Sequence, residues 1–155
     1  MPALFNKLGI NFHYPENWTL DEQEALEGEP TVTVNSPGGA FWSVAIHPIA
    51  DDPGRLTKTA VDALKQVYSD LDAEEASDQV AGLQISGYDV NFYCLDLTNT
   101  AIVRGFRGEH ATYVILSQAE DREFAEIEPV FRAMTASLVR NEALEPYQLS
   151  NDDLE

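Results

Sequence analysis

The stretch YDVNFYCLDLTNTAIVRGFRGEHATYVILS, residues 88–117, carries the reading of the fold. Three runs rich in β-branched and aromatic residues, Tyr88 to Leu97, Ala101 to Arg107 and Thr112 to Ser117, are separated only by Thr98-Asn99-Thr100 and Gly108-Glu109-His110. Links that short join antiparallel neighbours, so the stretch predicts a three-strand meander. In its last run Thr112, Val114 and Leu116 point one way and Tyr113 and Ile115 the other, leaving both faces apolar. A strand of that kind is covered on both sides.

Upstream of the meander, Leu56, Ala60, Ala63, Leu64, Val67 and Leu71 recur at helical steps, and Pro53 is placed for a first turn. Before that helix, Thr31 to Asn35 and Ala40 to Pro48 flank Ser36-Pro37-Gly38-Gly39, which predicts a β-hairpin. Leu8 to Tyr14 alternates as a half-buried strand ended by Pro15, and Trp18 to Leu20 is a further short strand candidate. Downstream, Phe124, Ile127, Phe131, Met134 and Leu138 form one helical stripe. Pro129 interrupts it, which predicts a kink or two consecutive helical pieces. The expected architecture is therefore α+β: an antiparallel sheet of about six strands flanked by helices on both faces, an α/β/α sandwich. It forms one domain over residues 1–140, followed by an acidic tail over 141–155.

The chain of 155 residues carries 27 Asp and Glu against 9 Lys and Arg, a formal charge of −18. Such a field repels phosphate backbones and anionic lipid, so neither nucleic acid nor a membrane is an expected partner. It attracts basic proteins. Cys94 is the single cysteine, so no disulfide within the chain is available. No run of signal-peptide length opens the chain and none approaches the about 18 apolar residues of a span, which makes a cytoplasmic location the default expectation. The acidic residues concentrate in Glu16 to Glu29, Asp70 to Asp78 and the tail, all expected to be connecting segments.

No nucleophile elbow or phosphate-cradling loop occurs, and His13, His47 and His110 lack metal-site spacing. Cys94 sits in an apolar run without a cationic neighbour, as an inert packed thiol does. Arg104 and Arg107 read as partners of neighbouring carboxylates. Asp70, Asp72, Glu74 and Asp78 occupy four ligand positions of a calcium loop, but Glu75 stands where the sharp-turn glycine belongs and Ala81 where the bidentate glutamate belongs. No metal or cofactor is expected, and these four carboxylates are the candidates were a cation to bind. The candidate protein-binding residues are Glu16, Asp21, Glu22, Glu24, Glu27 and Glu29, read as a solvated loop or as a docking surface for a basic partner.

Phe12-His13-Tyr14-Pro15-Glu16-Asn17-Trp18, Ile85-Ser86-Gly87-Tyr88 and Ala136-Ser137-Leu138, in this order of elements, resemble the PsbP-like superfamily, which includes Ran-binding Mog-type and DcrB-like domains. The resemblance implies an antiparallel sheet with helices and an assembly-factor, chaperone or binding role without a catalytic centre. Trp18 and Gly87 carry structural readings: an aromatic plug beside the Tyr14-Pro15 corner, and a position intolerant of side-chain bulk. The expected function is a non-enzymatic adaptor, assembly factor or chaperone-like domain that binds a basic or partly hydrophobic protein through an acidic surface. The alternatives are a small-ligand or divalent-cation module between sheet and helix and, more remotely, a cryptic hydrolase. Homodimerisation through an edge strand or the tail is an independent option.

Overall fold

The computed structural model describes residues 2–23 and 30–142. Strands β1 (Pro2–Lys7) and β2 (Ile10–Pro15) pair with each other as a separate two-stranded sheet. Strands β3 (Thr19–Gln23), β4 (Thr31–Asn35), β5 (Phe41–Pro48), β6 (Leu71–Val80), β7 (Leu83–Cys94), β8 (Leu97–Arg107) and β9 (Ala111–Glu120) form one antiparallel sheet in the order β3-β4-β5-β9-β8-β7-β6. Helix α1 (Pro53–Val67) lies between β5 and β6, and α2 (Asp121–Glu142) follows β9. The architecture is α+β with seven strands in the main sheet and two helices.

The meander is present, with the link Gly108-Glu109-His110 where expected and the first turn displaced. β7 and β8 join across Leu95-Asp96, not Thr98-Asn99-Thr100, because Cys94 pairs directly with Leu97. Both turn residues have positive φ, 53° and 64°, the type I′ geometry whose twist matches that of the flanking strands. Ala81-Gly82 makes the same two-residue turn between β6 and β7, and Leu8-Gly9 between β1 and β2.

The segment from Asp70 to Asp78 corrects the expected loop. It belongs to β6, paired with β7 from Leu71↔Phe92 to Val80↔Leu83. Its composition, with four acids between Asp72 and Asp78, is poor in the residues that favour strands. It also lies at the edge of the sheet, where charge blocks pairing with a further strand. Leu71 therefore opens β6 and does not extend the α1 stripe. That helix begins at Asp52, whose carboxylate accepts the Arg55 backbone N–H at 3.0 Å, with Pro53 in its first turn.

Pro129 neither splits α2 nor ends it: one helix runs from Asp121 to Glu142. The carbonyl of Ala125 loses its helical partner, but both residues face solvent, so water can replace the missing donor.

The apolar residues form two clusters on opposite faces of the sheet. One joins α1 residues Leu56 and Val61 to Val90, Phe92, Val103 and Val114. The larger joins α2 residues Phe131, Met134 and Leu138 to Trp42, Ile115 and the β1–β2 pair through Phe5 and Phe12. Helix α1 packs on β6–β9, whereas Thr31, Thr33 and Asn35 of β4, on the same side, are only partly buried. On the other side, α2 and the β1–β2 pair cover the β3–β5 half, and Asp72, Glu74 and Asp78 of β6 remain exposed. The expected sandwich of helices over both faces is thus corrected: the two layers are staggered, one of them is partly β, and they overlap across β8 and β9.

Gly87 lies where β7 passes β8, and a Cβ there would collide with the Val103 carbonyl. Trp18 is buried edge-on to Phe131 at 6.0 Å, with its backbone N–H bonded to the Pro15 carbonyl. Substitution Gly87→Val should cost about 3 kcal/mol in urea denaturation. Gly9→Ala, at φ +79° with open space around it, should cost only about 1 kcal/mol.

Candidate functional site

The β2 strand meets α2 along its free edge. The Asn11 backbone N–H donates to Glu142 Oε2 at 3.0 Å and the His13 N–H to Ser137 Oγ at 2.9 Å, while Asn141 Nδ2 donates to the Asn11 carbonyl at 3.1 Å. Helix side chains thereby occupy the strand edge that a further strand would need. The His13 ring stands 3.4 Å from Ser137 Oγ, and this buried hydroxyl also accepts the His13 backbone N–H. Ser137 thereby fastens α2 to β2.

Beside this seam lies a shallow groove of about 620 Å³, walled by His13, Tyr14 and Pro15 on one side and Pro129, Val130 and Ala133 on the other. Glu16 lines its end. Tyr14 and Pro15 belong to the aromatic motif at the start of the chain and Pro129 is the residue that interrupted the α2 stripe. The groove is where two sequence irregularities meet.

A second depression, about 540 Å³, opens between α2 and the β6–β8 part of the sheet. Arg104 stands in its wall with a side chain only 6% exposed. Its Nε donates to Asp78 Oδ2 and its Nη2 to Asp89 Oδ1, both at 2.8 Å, and Nη1 donates to the carbonyls of Tyr88 and Val103. The planar fork is satisfied on three sides, which a lysine could not reproduce. Arg107 differs from expectation: it donates to the backbone carbonyls of Ile49 and Asp51, not to a carboxylate. Replacing Arg104 by Lys should lower stability by about 1–3 kcal/mol, and adding Asp89→Asn to that variant should restore part of the loss.

Near the end of α2, burial and the charge of Glu142 push the Tyr113 hydroxyl up to about 12. Glu142 is itself raised, by burial first, with the neighbouring Glu109 adding to it and the Asn11 N–H and His110 opposing. The folded state thus favours its protonated form. Its stabilisation is complete below the ordinary value of 4.5 and is lost as pH rises through the higher folded value. Glu142→Gln, which still accepts the Asn11 N–H, should therefore raise the melting temperature at neutral pH and confer no advantage in acid below 4.5. An advantage that persists in acid would assign the effect to packing.

The expected site residues disperse. Glu16 lines the groove, Asp21 and Glu22 are exposed on edge strand β3, and Glu22 pairs with Lys7 at 3.3 Å. Glu24, Glu27 and Glu29, like the tail from residue 143, lie outside the described residues. Of the cation candidates, Asp70 precedes β6, while Asp72, Glu74 and Asp78 share one face of that strand. Side chains on one face recur at about 7 Å along a strand, too far to wrap one ion, and Asp78 is engaged by Arg104. Among the described residues no group of three or more His, Cys, Asp or Glu is placed to hold a metal.

No family model matches the chain, and no curated protein does. Solved structures do. Cyanobacterial PsbP (CyanoP) from Synechocystis sp. PCC 6803 superposes with a TM-score of 0.60 over 88% of this chain and 90% of that one, at 15% identity. PA94, a protein of unknown function from Pseudomonas aeruginosa, does so at 0.50 over 89% and 96%, at 10% identity. LpqN, involved in cell envelope biogenesis of Mycobacterium tuberculosis, gives 0.46 over 86% of each chain, at 15% identity, too low to add weight. The chain has the PsbP-like fold.

Proposed function

We propose that this protein is a non-enzymatic adaptor or assembly factor that binds a segment of another protein, apolar with a basic flank, in the groove between β2 and α2. The observation that carries the reading is the groove's composition: apolar walls from Tyr14, Pro15, Pro129 and Val130, with Glu16 at one end. Its volume of about 620 Å³ suits side chains of a docked segment. Charge supports the same partner, because an excess of 18 negative charges speeds and orients the approach of a basic chain. The PsbP-like fold is consistent with an accessory role.

Small-ligand or divalent-cation binding is a second reading, favoured by the depression beside Arg104. It ranks second because the carboxylates that would attract a cation there, Asp78 and Asp89, already bond the guanidinium. Homodimerisation by strand pairing is disfavoured at β6, where a second copy would bring Asp72, Glu74, Glu75 and Asp78 against their own equivalents.

Ala133→Arg places a cation in the groove at an exposed helical position, where the fold should tolerate it. Wild-type protein immobilised at low salt should retain a basic partner that added salt releases. Retention should fall about tenfold with Ala133→Arg and less with Asp21→Lys/Glu22→Lys. Equal retention by Ala133→Arg, or retention indifferent to salt, would overturn the reading.

A further inference from the structure

Seven large apolar side chains among the described residues are exposed, and four of them gather at one end of the molecule: Val67 at 70%, Tyr93 at 61%, Leu95 at 91% and Leu97 at 40%. The stacking of Tyr68 on Phe92, with ring centroids 4.2 Å apart, brings the end of α1 against the end of β7 and so creates this corner. Leu95 is the most exposed of the four and lies in the turn itself. It and Asp96 occupy the left-handed region that a type I′ turn demands, where Asn-Gly is the relaxed solution. A strained turn that displays a leucine to water has no stability rationale.

The corner continues onto the outer part of the β6–β7 face, where Asp72 and Glu74 are exposed. On the α2 side of β6 and β7, Glu74 stands directly opposite Asp89, and Asp72 opposite Asn91. Like charges directly across a strand pair are destabilising. Asp89, one strand further in, is neutralised by Arg104 at 2.8 Å, whereas Asp72 and Glu74 pair with no cation among the described residues. Asp70, Asp72, Tyr93 and Asp121 line a depression of about 440 Å³ at the junction of the tip with this face. The nearby cation Arg122 is occupied by Glu120 at 2.8 Å.

We infer that the β7–β8 hairpin tip and the open β6–β7 face form a second docking surface, distinct from the groove, for a protein segment that carries apolar residues at one end and Lys or Arg along its length. Apolar side chains of the segment would cover Leu95 and Tyr93, and its cations would pair with Asp72 and Glu74. Charge complementarity selects this occupant. A second copy of the chain would bring another −18 to the surface, and an anionic membrane would be repelled by the same carboxylates. The groove shares no lining residue with this surface, so the inference does not rest on the groove reading.

The test uses Leu95→Asn/Asp96→Gly, which supplies the residues the turn prefers and should fold at least as stably as wild type. Isotope-labelled protein is titrated with a synthetic amphipathic lysine–leucine peptide and followed by NMR. The expected result is perturbation at Asp72, Glu74, Tyr93 and Leu95, weakened by salt, with binding about tenfold weaker in the hairpin variant and unchanged in Ala133→Arg. Equal binding by the hairpin variant, perturbation confined to the groove, or equal affinity for a lysine–serine peptide would overturn it. So would hairpin-dependent co-sedimentation with lipid vesicles, which would assign the tip to membranes, or hairpin-dependent self-association in sedimentation, which would assign it to a second copy.

Discussion

The structure depends on one strand that is apolar on both faces. In β9, Tyr113 and Ile115 join the cluster under α2, while Val114 and Leu116 join the one under α1. Neither face can be left to water, so two layers must meet on this strand. Each helix follows an element that delivers it to its own side, α1 after β5 and α2 directly after β9. Neither layer spans the whole sheet. Where a layer ends, the composition of the sheet surface changes: partly buried threonines on the α1 side of β4, and carboxylates on the α2 side of β6 and β7.

The α2 layer is held by more than apolar burial. Trp42, buried at the base, donates its indole N–H to Thr135 Oγ1 at 2.9 Å and stands 4.9 Å from the Phe12 ring. Ser137 and Glu142 then bond the β2 backbone. These polar contacts set the position of the β1–β2 pair along the helix, which apolar contact alone would leave free to slide. The arrangement has a cost at Glu142. A carboxylate is held with little water at a helix C-terminus, where the helix dipole also disfavours negative charge.

Much of this was legible in the sequence, and the failures have physical causes. The meander, the hairpin of β4 and β5 and both helical stripes follow from apolar periodicity, which reports the buried faces directly. Strand β6 was not legible, because an edge strand with one face open to solvent needs little apolar content. The turn at Leu95-Asp96 was hidden because neither residue is a glycine or asparagine. Arg104 was legible as a partner of carboxylates, because a charged residue between Val103 and Phe106 in an otherwise apolar run is buried with partners or not at all, but which carboxylates it meets was not. The groove combines β2 with α2, more than a hundred residues apart in the chain, and local pattern cannot foresee that meeting.

The acidity acquires a different meaning once the strands are in place. Asp21 and Glu22 lie on β3, and Asp72, Glu74, Glu75 and Asp78 on β6, and these strands are the two edges of the main sheet. Acid that looked like the property of connecting loops is in part the means by which both edges resist adding another strand. That accounts for the edges but not for the rest of the excess. Of the nine Lys and Arg, Arg55, Arg104, Arg122 and Arg132 pair with carboxylates close by in sequence or strand register, Lys7 pairs with Glu22, and Arg107 bonds backbone carbonyls. Few cations are left to neutralise Asp70, Asp72 and Glu74 beside the hairpin tip. Uncompensated charge beside exposed leucine and tyrosine does not stabilise an isolated domain, since it adds repulsion where burial would have added attraction. It is the surface composition that a basic, partly apolar partner would complete.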